Sequence, residues 1–572
     1  MTGGPVEVAA EDLESRMLEL FGADAADYNS AHASNPVPTA YLTSAIRIVD
    51  KSGVVDKLEE WRTTSRKSKA GRKAYIPFRA VLVLFLLHAQ MNLGLQYQDL
   101  ADTLHHRFGI KEFKLLGITD APGDRTDWYK RIWDASNRML SHLDPYPVRR
   151  NKRLGPKAYQ KLVAKQNKPK ARKSSELKLR RLDWICEQLV HTSIAVLPRR
   201  QWDAYQGNIS IDATLIEVSG KPNPTSPNYR RGNADPTSGR YRRGGKHDGR
   251  GKKNDKAGYE LELAVMVWNK PGEKGLFPSL ATAVSFHRPG EIIGEGLKLI
   301  KSHKSLGFDR FLALADRAYN NSKAENFQIP ARKLGVEFVF DYKDNNLGLQ
   351  GHYGDLILVD GNWYIKHMPQ HLIDAAKDYA DKKIDKATFK QYIENRAPYR
   401  ALPKGRPDAD GFQRFTLPEP GTYMAIDRAT GKRIPRPTER GSVTLPPSLK
   451  QSDDKRETDP AKHVQKFPYK TKTWRKHYGM RNLVETKNKE SKRERFAFLG
   501  DKGKRSGRGY TFNYIAATVA IVASNLRKIA KFFVKAEEKQ AEEEGTRARR
   551  RKDPSGTPLA RLTTTLPLAP PS

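Results

Sequence analysis

The stretch NISIDATLIEV, residues 208–218, decides how the rest of the chain is read. Ile209, Ile211, Ala213 and Leu215 alternate with Ser210, Asp212 and Thr214, the period of a strand with one apolar and one polar face. The polar face carries an acid, Asp212, near its middle. Outward from it, residues 259–268 and 279–286 are two further strands, and 291–303 a helix. Residues 308–315 form a run, apolar except at its start, that ends at Asp316. Such a run fits a central strand buried on both faces, and an acid at its carboxyl end is costly unless paired or metal-bound. A helix over 322–334 and a strand over 336–340 complete the order: three meandering strands, then helix, strand, helix, strand. That order is the one used by a known fold in which the first and fourth strands are neighbours, which predicts Asp212 beside Asp316.

A second stretch, YGMRNLVETKNKESK at 478–492, holds Tyr478, Arg481, Glu485 and Lys492. On one helix beginning near Tyr478, at roughly 100° per residue, these four side chains leave from a sector about 60° wide. A tyrosine, two cations and a carboxylate on one face suit a phosphodiester held beside a metal ion, the carboxylate ligating the metal and the cations taking phosphate oxygens. The alternative is a solvated helix with ordinary pairs such as Arg481 with Glu485.

Taken together, Asp212 in ISIDATLIEV, Asp316 in LALADRAYNN and the four residues of 478–492 resemble the three motif regions of DDE transposases of bacterial insertion sequences. The resemblance is to the group with the Y-(2)-R-(3)-E-(6)-K signature, whose spacing is matched at every position, and it covers roughly 205–345 and 470–535. It implies an α/β fold, a ribonuclease-H-like mixed sheet flanked by helices. Asp212, Asp316 and Glu485 would be catalytic and hold two magnesium ions, with manganese as a substitute. Tyr478, Arg481 and Lys492 would lie near DNA phosphate. The implied activity is metal-dependent cleavage of the ends of an insertion sequence and strand transfer into a target. Double-stranded DNA is the implied partner, bound by a dimer in the cytoplasm at the nucleoid. Two rivals share parts of the pattern: a nuclease or resolvase of the same fold that cleaves without joining, and a non-catalytic DNA-binding protein. His287 and Asp341 fall near strand ends, and a structural role is expected for each.

Charge supports a polyanionic partner. The 572 residues include 103 Lys and Arg against 65 Asp and Glu, a net charge of +38, and such an excess repels itself unless phosphates neutralise it. Residues 165–181 carry eight cations and are expected to be a solvated linker able to lie along DNA. Residues 230–256, rich in Gly and holding ten Lys or Arg, are expected to be a mobile β-hairpin loop closing over DNA. Its phosphate ligands would be Arg230, Arg231, Arg240, Arg242, Arg243, Lys246, Arg250, Lys252 and Lys253; otherwise it is a solvated insertion. The longest apolar run, 80–87, falls far short of the ~20 residues of a membrane span. Cys186 is the only cysteine, so neither a disulfide framework nor a thiolate metal cluster is expected.

The remaining organisation is read from periodicity and punctuation. Residues 1–45 are expected to be loosely ordered, and 46–150 to be a helical, DNA-binding or simply bundle-packed domain. In it, a buried helix over 80–90 follows Pro77, a turn at Asn92–Gly94 leads to a helix over 97–106, and a third helix over 127–143 turns Trp128, Ile132, Trp133 and Met139 inward. Residues 151–200 are a basic linker and helix, and 346–469 an inserted α+β unit placed before the last catalytic helix. Within that unit a hairpin turns at Asp360 and Gly361, a helix spans 370–394, and 411–417 and 423–426 are strands. Residues 514–533 should form an apolar helix against the sheet, and 536–572 a disordered tail.

Overall fold

A computed structural model describes residues 36–65, 74–146, 154–220, 235–243, 254–427, 430–435, 440–452, 457–493, 499–505 and 507–543. At its centre is a mixed sheet of six strands: β1 (Ile209–Glu217), β2 (Gly239–Arg243), β3 (Asn254–Met266), β4 (Ala281–His287), β5 (Phe311–Ala315) and β6 (Val336–Phe340). The order is β2-β3-β1-β5-β6, with β4 also on β3. Strand β1 runs antiparallel to β3, and β5 is parallel to both β1 and β6. The expected pairing of the first strand with the one ending at Asp316 is therefore present.

Strand β3 begins before the expected 259 because its first residues pair with β2, from Gly239 opposite Gly258 to Arg243 opposite Asn254. Gly258 lies between β1 and β2, and a Cβ there would run into the carbonyl of Ile216. Thus the ends of the basic 230–256 segment form a regular ladder that continues the sheet. Arg230, Arg231, Lys246, Arg250, Lys252 and Lys253 lie outside the described residues.

One sheet face, with Ile211, Ala264 and Ala283, packs under the helix Glu295–Lys304. On the other face, Leu261, Leu263 and Phe286 meet the helices Pro169–Ile194 and Tyr510–Glu543. The helical region expected to be a domain of its own has no separate core. Helix Phe78–Met91 is buried at Phe78 and from Ala80 to Gln90, so it must be covered all round. The C-terminal helix covers one side, with Phe85 and Phe512 at 5.9 Å between ring centres. Among the described residues, no helix is long and apolar enough to cross a membrane.

Several expectations need correction. Helix Thr39–Lys51 reaches into the stretch read as loose. Helix Arg125–Ser141 buries Trp128, Ile132 and Met139 but leaves Trp133 43% exposed, since a residue next to Ile132 turns off the buried face. The 165–181 linker is helical, split between Pro156–Gln166 and Pro169–Ile194. Its Lys, Arg and Ala are good helix formers, Pro169 starts a helix well, and the buried half after Leu182 anchors the rest. The 322–334 helix is broken into Ala324–Asn326 and Gln328–Lys333, with Pro330 confined to the first turn of the second piece.

The inserted unit has its own core and two three-stranded sheets, Leu349–Tyr353 with Leu356–Val359 and Asn362–Ile365, and Leu402–Pro403 with Gln413–Thr416 and Ser442–Leu445. Asp360 and Gly361 make the expected two-residue turn, both at positive φ (44° and 83°). The expected 370–394 helix is three pieces, interrupted where Lys382 is left-handed at φ 60°. The expected 423–426 strand is reduced to one bridge, Ile426 with Arg433. The C-terminal helix continues to Glu543, into the stretch read as tail.

Candidate active site

Strand register sets two of the acids. Ile209 lies opposite Ala313 and Ser210 opposite Leu314, with Ser210 Oγ donating to the Leu314 carbonyl at 3.3 Å. Carried forward, that register brings Asp212 abreast of Asp316, and the β5–β6 register brings Asp341 next to Asp316. Asp316 sits just past β5, where its carboxylate accepts the Ala318 N–H at 2.8 Å and opens a short helical turn.

The signature residues do not share one helix. Helix Lys472–Gly479 ends after Tyr478, and Asn482–Lys492 starts after Arg481. Between them the backbone tightens to i−3 hydrogen bonds, Arg481 N–H to Tyr478 O at 2.9 Å and Val484 N–H to Arg481 O at 3.1 Å. Gly479, a poor helix former, stands at the joint.

That joint puts Arg481 at the centre. Its Nη2 lies 3.3 Å from Asp212 Oδ1 and 3.9 Å from Asp316 Oδ2, and its Nη1 lies 2.5 Å from Glu485 Oε1. Three acids from β1, the end of β5 and the helix Asn482–Lys492 thus converge on one guanidinium that is 14% exposed. The two aspartate oxygens can be no farther apart than their two distances to Nη2 laid end to end. As placed, the acids bond the guanidinium rather than close on one another, and no cluster of three or more His, Cys, Asp or Glu among the described residues is arranged to hold a metal ion.

Burial pushes the Asp212 carboxyl up; Arg481 opposes the shift, Asp316 adds to it, and the result is about 6. Burial lowers the Arg481 pKa, but Tyr478, Asp212, Asp316 and Glu485 outweigh it and hold the guanidinium above its ordinary value. Tyr478 stacks on Trp474, ring centres 4.6 Å apart at 10°, and burial raises its pKa. Lys492 occupies the last position of the signature helix, roughly 10 Å along the axis from Glu485.

Two residues the sequence reading missed complete the site. Asn488, one turn beyond Glu485, donates from Nδ2 to Asp212 Oδ2 at 2.9 Å. Lys487, fully buried, bonds Ser524 Oγ and Asn525 Oδ1, both at 2.9 Å, and fixes the helix to its C-terminal neighbour. The spacing of Asn488 from Glu485 was the available signal, hidden because an uncharged amide does not stand out among the charged residues of the stretch.

Of the remaining residues, His287 and the β2 arginines lie apart, while Asp341, beside Asp316 by register, is bonded elsewhere. Ala213 faces Glu262 across the β1–β3 ladder, so His287, bonded to Glu262 at 3.1 Å, is on the sheet face opposite Asp212. Burial disfavours the charged imidazole, but the hydrogen bond and charge of Glu262 win and raise its pKa to about 9. Asp341 accepts from Tyr469 Oη at 2.7 Å and lies 3.3 Å from Lys470 Nζ. Arg240, Arg242 and Arg243 sit on β2, which meets β3 at the Glu217 end of β1, about 17 Å along the strand from Asp212. No family model and no curated protein matches the chain.

Proposed function

We propose that this chain is a transposase of the DDE type, on a ribonuclease-H-like sheet, that cleaves the ends of an insertion sequence and joins them to target DNA. The observation that supports it is the gathering of Asp212, Asp316 and Glu485 about Arg481. One acid would neutralise one guanidinium; three, from elements far apart in sequence, leave surplus negative charge, and the Asp212 pKa, raised first by burial, is raised further by Asp316 and Glu485.

The donor set is all carboxylate oxygen, which fits hard divalent cations. Asp212, Asp316 and Glu485 would hold two magnesium ions, with manganese in their place. When bound, such ions activate a water or a 3′-hydroxyl and stabilise the leaving oxygen of a phosphodiester. The chain's own groups do the rest. The planar fork of Arg481, released from the acids, takes two phosphate oxygens. Tyr478, packed on Trp474, supports that side of the site, and Lys492 binds backbone farther along. The exposed cations of Pro156–Gln166 and Pro169–Ile194, and the β2–β3 ribbon, track duplex DNA without reading its sequence. We place the protein at the nucleoid, acting as a dimer on DNA.

The test is a labelled duplex carrying the element's end, identified from short inverted repeats flanking the coding region, incubated with target DNA and Mg2+. Cleavage and joining are expected, both abolished in Asp212→Asn, Asp316→Asn and Glu485→Gln. Cleavage without joining of a pre-cut end would make the protein a nuclease or resolvase; binding with neither would make it a non-catalytic DNA-binding protein.

A further inference from the structure

Asn488 is 7% exposed, on the side of helix Asn482–Lys492 that packs against β1 and β3. Its Nδ2 is bonded to Asp212 Oδ2, whereas its Oδ1 is buried and has no hydrogen-bond partner among the described residues. Asp212 dictates that orientation, because the reversed amide would set two acceptors against each other. Both oxygens of Asp212 are thus held, Oδ1 by Arg481 and Oδ2 by Asn488. The two donors are not equivalent. Arg481 is shared among three acids, while the Nδ2 of Asn488 serves Asp212 alone, on a helix pinned next door by Lys487. A buried amide oxygen without a partner is destabilising, and that expense is explained if a donor arrives with the ligand.

We propose that Asn488 is a positioning residue: it fixes the Asp212 carboxylate for a divalent cation and accepts, at its unpartnered oxygen, a hydrogen bond from a water of that cation's hydration shell. This rests on the metal site of the proposed function. Partners of this kind orient a ligand and tune its affinity, and their loss weakens metal binding about 10- to 100-fold.

The experiment is Mn2+ titration of the full chain without DNA, read by electron paramagnetic resonance, for wild type, Asn488→Ala, Asn488→Leu and Asp212→Asn. Both Asn488 variants are expected to bind Mn2+ about 10-fold more weakly. The metal-free melting temperature of Asn488→Leu should lie above that of Asn488→Ala, because leucine fills the space while both variants take the same donor from Asp212. In the cleavage assay, the Mg2+ concentration for half-maximal rate should rise by a similar factor, with the rate recovering at saturating metal. Wild-type Mn2+ affinity in both Asn488 variants, beside a loss in Asp212→Asn, overturns the inference and leaves the metal site standing. A loss confined to Asn488→Ala with a lowered melting temperature also overturns it, showing packing alone. Failure of the wild type to bind Mn2+ at millimolar concentration overturns the metal site itself, and this inference with it.

Discussion

Arg481, the N-cap of helix Asn482–Lys492, holds its Nη1 2.5 Å from Glu485 Oε1 in the first turn of that helix. The pair is an i,i+4 contact by sequence, yet the same guanidinium reaches Asp212 and Asp316. Arg481 is therefore the counter-ion of the site.

Removing it has two opposed effects. Arg481→Ala leaves three carboxylates facing one another, so the metal-free protein should lose about 2 kcal/mol or more, since taking one partner from a buried ion pair strands the other. The same change removes a competitor for the acids. The rise in melting temperature on adding Mn2+ should exceed that of wild type; a smaller rise would show that Arg481 helps the cation rather than opposing it.

Tyr478 and Lys492 should differ in kind from the acids. Tyr478→Phe keeps the stack on Trp474 and loses one neutral hydroxyl, worth about 1 kcal/mol, so cleavage should fall only several-fold. Lys492→Ala should weaken binding of duplex ends and strand transfer while Mn2+ affinity stays at the wild-type value. Filter binding beside the cleavage assay separates the two.

Asp212 gives a pH signature. Its folded pKa, about 6, lies above the ordinary 3.8, so its contribution to stability is full below pH 3.8 and is lost as pH rises through 6. Without divalent metal, Asp212→Asn should therefore be more stable than wild type at pH 7.5, by up to about 3 kcal/mol, and the difference should vanish near pH 4. Thermal denaturation at both pH values checks the sign. An equal or lower melting temperature for the variant at pH 7.5 would mean that Arg481 and Asn488 fully compensate the buried charge.

The basic helices make a salt prediction. Replacing Lys165, Lys168, Lys170 and Arg172 by Gln should weaken binding to all duplex sequences alike and flatten the salt dependence, by about 0.9 in slope for each phosphate that is no longer neutralised. An unchanged slope would make these cations an ordinary solvated surface.

What the sequence made legible follows from local patterning. The alternation over 208–218 placed Asp212 on a strand, and the apolar run ending at Asp316 placed the second acid. Strand order then brought them together, because parallel pairing through a helix leaves few alternatives. The helix break at Gly479–Arg481 was hidden, since Tyr478, Arg481, Glu485 and Lys492 fit one straight helix as well as two. Its cause is tertiary: Trp474 is packed under Tyr478 and hydrogen-bonded to Phe340 O and Gln465 Oε1, while Arg481 is drawn toward the acids. The shared core of the N-terminal helices was equally out of reach, because an all-round apolar helix announces that it is covered and not by what.

The closing residues of the inserted unit bear on the site in another way. Arg332 donates to the carbonyls of Ala461 and Val464 at 2.7 and 2.6 Å, and Asn320, just after Asp316, bonds Lys462 O and His463 Nδ1 at 3.1 and 3.0 Å. Gln465 takes the Phe340 N–H and the Trp474 indole N–H on one oxygen. The unit is thus not an ornament hung on the sheet. Residues 460–465, near the end of the unit, are a splice that sets the turn after Asp316 and the helix before Arg481 against each other, so a change in the unit that shifts them reaches both sides of the site at once.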